Sequence, residues 1–264
     1  MKKKYFFIFV IAFVTIIGGA STSYYFYLNQ RAQLLQNHYP VWNAKKTGYV
    51  LTKKKPSHWV DLKRISYEAQ WAIIISEDWA FYEHEGIDFN QLKIVLEESL
   101  KAGEFVRGAS TITQQVVKNA LLTHERTLTR KFQEILLANL IEQNLSKKKI
   151  LEIYLNLVEL GKNLYGIKKA AKFYFHKHPS KLTAKEGAFL AMLLPSPVKY
   201  AQSYRNRELT EFGKQQVSNI LKKLKQAKII SEEKRKLLDG EPLSFEAVNA
   251  IDEDILSFEN ESYE

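Results

Sequence analysis

From residue 66 onward the chain repeats apolar positions at three- and four-residue spacing, with few β-branched alternations. The pattern predicts helices over 66–82, 88–101, 111–122, 127–144, 147–157, 166–176, 184–194 and 205–227. Ser146 ahead of a Lys-rich turn, and Thr183 with Glu186 three residues on, read as helix starts, the second as a capping box. Pro195 and Pro197 close the seventh helix. Short strands are expected only around Tyr49–Leu51 and Trp59–Leu62. No internal repeat, Gly/Ser linker or low-complexity tract interrupts the body, which predicts one mainly α domain.

The N-terminal pattern differs. Lys2, Lys3 and Lys4 precede an uncharged stretch from Tyr5 to Leu28, long enough as a helix to cross a hydrocarbon core of about 30 Å. Three lysines before the span and a large domain after it place the N-terminus in the cytoplasm and the domain outside. Tyr24, Tyr25, Phe26 and Tyr27 fall where an interfacial aromatic belt would lie. A cleaved secretory signal is the competing reading, because small residues at Gly18, Gly19, Ala20 and Ser21 follow the strongest apolar run; the aromatic continuation favours a retained anchor. Both readings export the domain. The expected division is a basic end and anchor over 1–30, a juxtamembrane connector over 31–55, the main domain over 56–245, and an acidic tail over 246–264 that should be mobile.

Charge and composition narrow the function. The 264 residues carry 39 Lys+Arg against 29 Asp+Glu and no cysteine, which removes disulfide scaffolds, zinc ribbons and thiol nucleophiles. Six acids and no base lie within 252–264, so residues 1–251 hold 39 bases against 23 acids. Such a body suits an anionic partner: nucleic acid, an anionic membrane or a phosphate-bearing substrate. Export makes nucleic acid the poor choice.

Three segments could carry chemistry. Ser76 to Asp88 packs five acids and His84 directly after the apolar run Ala72–Ile75, so Glu77 falls where a buried helix face meets a cleft, a setting that suits a general acid or base. The plainer reading is the start of a polar face. Arg107 to Asn119 is a small-residue turn feeding a donor-rich helix with Lys118, fit for phosphate or sugar, although Ser110 or Thr111 could simply cap that helix. Arg126 to Glu134 places Arg130 and Lys131 four and three residues before Glu134, which a surface salt-bridge face would also explain.

In order and spacing, EDxxFxxHxGxD (Glu77 to Asp88), GxSTIxQQxxKN (Gly108 to Asn119), RKxxExxxAxxxE (Arg130 to Glu142) and KILExYLN (Lys149 to Asn156) resemble the signature blocks of the peptidoglycan glycosyltransferase family. Tyr165–Gly166–Ile167 with Ala170, Ala171, Tyr174 and Phe175, and the segment Leu182 to Pro195, extend the likeness over roughly residues 56–225. ArgGlyAlaSerThr, TyrPheHisLys and LeuProSerPro bring the match nearest to the monofunctional biosynthetic transglycosylases. Ser146–Lys149 spells SxxK and Lys46–Gly48 spells KTG, but their order is reversed and no SxN intervenes, so no transpeptidase activity is expected.

The resemblance implies a lysozyme-like, mainly helical domain that polymerises lipid II into β-1,4-linked glycan, inverting at the anomeric carbon and releasing undecaprenyl pyrophosphate. It implies Glu77 as catalytic base and Glu134 as the second essential carboxylate, orienting a basic residue or holding Mg²⁺ or Mn²⁺ against the diphosphate. Lys118 matches a pyrophosphate contact, with Arg126, Arg130 and Lys131 as further cations. Ser110, Thr111, Gln114 and Gln115 fall on cleft positions expected to meet sugar or phosphate oxygens. Asp78, Phe81 and His84 belong to the first block, the aromatic and the His shaping its loop. Implied partners are lipid II, the growing lipid-linked chain, membrane lipids and other cell-wall synthases, at the bacterial cytoplasmic membrane. Two departures stand out: Trp79, where the family is often basic, and a missing second glycine near Asn163. A glycan-cleaving enzyme of lysozyme-like fold and an inactive membrane-tethered scaffold are the alternatives, and Lys118, Arg130 and Lys131 favour a diphosphate donor over both.

Overall fold

The computed structural model describes residues 2–104, 106, 108–123 and 127–246. Arg126, Phe105 and the acidic tail beyond residue 246 lie outside the described residues.

The chain opens with one uninterrupted helix, α1 (Lys2–Asn37), of which Tyr5–Asn37 is apolar and long enough to cross a membrane. Its character changes along its length. Tyr24 to Tyr27 are exposed, whereas Leu28, Ala32 and Leu35 are buried at three- and four-residue spacing. That stripe packs on α5 (Leu128–Asn144). Asn144 Nδ2 donates to Asn29 Oδ1 at 2.9 Å, Gln36 Nε2 donates to the Asn144 carbonyl at 3.1 Å, and Arg31 donates to the carbonyl of Leu121.

The expected 31–55 connector is therefore corrected. Helix runs to Asn37, and an antiparallel hairpin follows, β1 (Tyr39–Asn43) with β2 (Gly48–Thr52), in register Tyr39 to Thr52 and Asn43 to Gly48. The hairpin is part of the domain: Trp42 stacks on Tyr165 with ring centroids 4.5 Å apart, and Tyr49 donates to the Leu157 carbonyl. The strand expected at Trp59–Leu62 does not form. Both backbone groups of Val60 are satisfied by the Asn156 side chain, at 2.8 and 2.9 Å, and the Leu62 N–H by Glu152. Side chains thus replace the partner strand that an extended segment would otherwise need.

The helical body follows its sequence pattern: α2 (Tyr67–Glu77), α3 (Phe89–Ala102), α4 (Ile112–Ala120), α5, α6 (Lys147–Leu157), α7 (Ile167–Phe175), α8 (Ala184–Leu193), the short α9 (Pro197–Tyr200) and α10 (Gln202–Arg205), α11 (Glu211–Gln226) and α12 (Glu232–Gly240). The 205–227 segment begins its long helix only at Glu211, behind the Thr210 cap, and α12 is an addition to the expected set. Side chains cap the starts of α2 to α6, α8, α11 and α12, while α7 begins at Gly166 without one; Thr183 and Glu186 form the expected capping box, and Ser146 accepts the Lys149 N–H. The core centres on α8, buried at all ten positions, against α2. Gly187 makes that approach possible, since a Cβ there would stand 2.6 Å from Ala69 Cα.

Candidate active site

Glu77 is the last residue of α2, after the buried run Ala72–Ile75. It stands half-buried in the wall of a cleft of about 1020 Å³, whose other sides come from Trp79, the Gly108–Thr111 turn, Gln115, and Lys223 and Gln226 at the end of α11. Gln115 Nε2 donates to Glu77 Oε2 at 2.8 Å. Burial pushes the Glu77 carboxyl above the ordinary value and the Asp78 charge adds to this, while Gln115, Lys118 and Tyr154 pull it back. The result is a carboxylate at a cleft edge with a raised proton affinity, as a general base requires.

Asp78 also lines the cleft, but both of its oxygens are engaged within the protein. Its Oδ2 accepts the Ile112 N–H at 2.9 Å, one of the unpaired donors at the start of α4, and its Oδ1 meets His84 Nε2 at 2.8 Å. Phe81 is fully buried beneath this loop, with Lys147 Nζ 4.5 Å from its ring centroid. Lys147 also bonds the His84 carbonyl and Glu142, which in turn accepts from Thr113. Gly86, at φ +87°, lies so close to α5 that a Cβ would sit 2.9 Å from the Ala138 carbonyl oxygen. Phe81, His84 and Asp78 are thus held within the loop.

Thr111 and Gln114 bond to each other. Thr111 accepts the Gln114 N–H and Gln114 Oε1 accepts the Thr111 N–H, a capping box in which both side chains are buried, and Thr111 Oγ1 donates to the Gly86 carbonyl at 2.6 Å. Their groups fasten the turn to the first loop, and Ser110 stands exposed beside Thr111 in the cleft wall. Lys118, three residues beyond Gln115 on α4, is exposed and forms no ion pair among the described residues, so it is free to meet an anion.

On α5, Glu134 is buried, with Arg130 Nη1 2.9 Å from Oε2 and Lys131 Nζ against Oε1. The carboxylate holds two cations side by side, and the Arg130 Nε is a buried donor with no partner among the described residues. Both Glu134 oxygens are engaged, and no group of three or more His, Asp or Glu that could hold a metal occurs among the described residues. Glu134 also lies outside the lining of the Glu77 cleft.

Tyr154 on α6 was not singled out by sequence reasoning, although it stands in the KILExYLN block. Its hydroxyl donates to Gln115 Oε1 at 3.4 Å from within the core. A tyrosine at an otherwise aliphatic helix face was the available signal.

The mainly α body, the cleft-edge glutamate and the separately placed cations fit the glycosyltransferase that the sequence blocks implied. The family described as Transglycosylase matches residues 44–225, and the chain belongs to it. It is similar to the biosynthetic peptidoglycan transglycosylase of Acinetobacter baumannii strain ATCC 17978, 42% identical over 156 residues that cover 59% of this chain and 69% of that protein. The protein of the same description from Acinetobacter baylyi is 41% identical over 171 residues, covering 64% and 76%. That from Haemophilus influenzae is 42% identical over 143 residues, covering 54% and 58%. The match from residue 44 also takes in β2, consistent with the hairpin being part of the domain.

Proposed function

We propose that this peptidoglycan glycosyltransferase polymerises lipid II into β-1,4-linked glycan with inversion, Glu77 serving as the base. The observation that carries the reading is the half-buried Glu77 carboxyl, raised in proton affinity, at the edge of a cleft large enough for sugars and held by Gln115 at 2.8 Å. The 4-hydroxyl of the incoming unit gives its proton to Glu77 as its oxygen bonds to the anomeric carbon of the growing chain. The bond from that carbon to the diphosphate breaks, and the electron pair leaves with undecaprenyl pyrophosphate. Charge gathering on the diphosphate is met by Lys118 and by the Arg130 and Lys131 pair, which Glu134 holds in fixed orientation. A divalent cation, where the reaction uses one, is brought by the diphosphate, and no step is routed through it.

The anchor supports action at the bacterial cytoplasmic membrane, with the domain on the outer side where the lipid-linked substrate diffuses in two dimensions. Exposed Phe89, Leu92, Leu96 and Leu100 on α3, with exposed Trp79 beside the cleft, form an apolar surface suited to membrane lipids. Other cell-wall synthases are the proposed protein partners.

The test is to incubate the purified full-length protein with fluorescent lipid-linked disaccharide-pentapeptide and Mg²⁺ or Mn²⁺, beside Glu77→Gln. A ladder of muramidase-sensitive polymer that Glu77→Gln does not make is expected. Shortening of preformed glycan without polymer would establish the hydrolase instead, and neither reaction would point to a scaffold.

A further inference from the structure

We propose that Tyr154 is a positioning residue for the base: its buried hydroxyl fixes which way the Gln115 carboxamide faces, and so keeps an N–H donor on the Glu77 carboxylate. The inference rests on Glu77 being the base.

The chain of contacts runs from core to cleft. Tyr154 OH donates to Gln115 Oε1 at 3.4 Å, and Gln115 Nε2 donates to Glu77 Oε2 at 2.8 Å. A carboxamide has a donor end and an acceptor end, and turning it over would place Oε1 against a carboxylate oxygen. A hydroxyl that donates to Oε1 favours the productive face.

Packing alone does not account for a tyrosine here. Tyr154 is fully buried on a helix whose neighbouring buried positions are Ile150, Leu151, Ile153 and Leu155, and phenylalanine would fill the same volume without a polar atom to satisfy. Burial, and after it the charges of Glu77 and Asp78, push the phenol far above its ordinary value, so it remains a donor over the working range. The charged or titratable groups facing Glu77 are Asp78 beside it, Asp88 at the start of α3, Lys118 from α4, Tyr154 from α6, and Lys223 across the cleft from α11. Tyr154 is the buried neutral donor among them. Without it Gln115 can rotate, the ionised form of Glu77 loses the Gln115 hydrogen bond, and protonation of the base becomes easier.

The experiment compares full-length protein with Tyr154→Phe, Gln115→Met and the double variant, measuring kcat and KM for the fluorescent lipid-linked disaccharide-pentapeptide across pH. For Tyr154→Phe, kcat should fall by roughly ten-fold with KM within about two-fold, and the acid limb of the profile should move to higher pH. Gln115→Met, which leaves the core untouched, should move the limb the same way, and adding Tyr154→Phe to it should cost little more. A Tyr154→Phe protein with an unmoved acid limb, even if less thermally stable, would reduce Tyr154 to a packing residue and overturn the proposal. So would multiplicative losses in the double variant. Polymer formation by Glu77→Gln in the same assay would instead overturn the base assignment, which keeps the two failures distinguishable.

Discussion

Asp78 Oδ2 accepts the backbone N–H of Ile112 at 2.9 Å, so the residue after the base at the end of α2 holds the first turn of α4, which carries Gln115 and Lys118. Its second oxygen meets His84. One carboxylate therefore fixes the separation between the base and the residues expected to meet the donor. Asp78→Asn should break this arrangement, because an amide offers one acceptor where two are needed and turns a donor toward the other contact. We expect a loss of about 2 kcal/mol, read as a lower unfolding temperature in detergent, together with reduced polymerisation. Unchanged melting and turnover would show that the link is dispensable.

Glu77 gives a pH-dependent stability of opposite sign to an ordinary ion-paired carboxylate. Its folded-state proton affinity is raised, so the folded protein binds a proton that the unfolded chain releases. Stability is fully present below the ordinary glutamate value and declines as pH rises through the raised one. Glu77→Gln removes that cost. The inactive variant should unfold at a higher temperature than the parent at neutral and alkaline pH, and the gain should vanish in acid; a gain independent of pH would mean that burial of the charge is not its source.

Glu134 restrains two cations from the core side. Glu134→Gln should cost about 1–3 kcal/mol, less than a fully buried pair because the Lys131 side chain is 44% exposed. Turnover should fall about a hundred-fold, since the cations lose their orientation toward the leaving diphosphate. With both oxygens engaged by Arg130 and Lys131, the Mg²⁺ or Mn²⁺ concentration for half-maximal residual activity should not change. A clear rise in that concentration would make Glu134 a metal ligand after all.

The helices, the caps at Ser146 and Thr183, and the position of Glu77 at the end of an apolar run were legible because each is written in local spacing. What was not legible depends on contacts far apart in sequence. Thr111 and Gln114 share a donor-rich stretch with Gln115, and nothing local distinguishes the two that close a capping box from the one that turns to Glu77. The extended Trp59–Leu62 segment reads as a strand until Asn156, 96 residues beyond Val60, supplies its hydrogen bonds. Tyr154 reads as core, and only the fold places its hydroxyl beside Gln115.

The boundary between anchor and domain was misplaced for the same reason, and it leads to the last prediction. Leu28, Ala32 and Leu35 lie on the same unbroken helix as the apolar span, yet they are buried against α5, the helix that carries Glu134. Leu35→Ala should leave a cavity in that seam and lower the stability of the domain by about 2–4 kcal/mol, whereas Ile16→Ala, at a position 70% exposed, should leave it unchanged. Thermal unfolding of both variants in detergent separates the cases. Equal, negligible effects would make the whole helix a passive tether; a loss confined to Leu35→Ala means that its last third belongs to the catalytic domain, so that the bilayer and the Glu134 cation pair are joined by one rigid element.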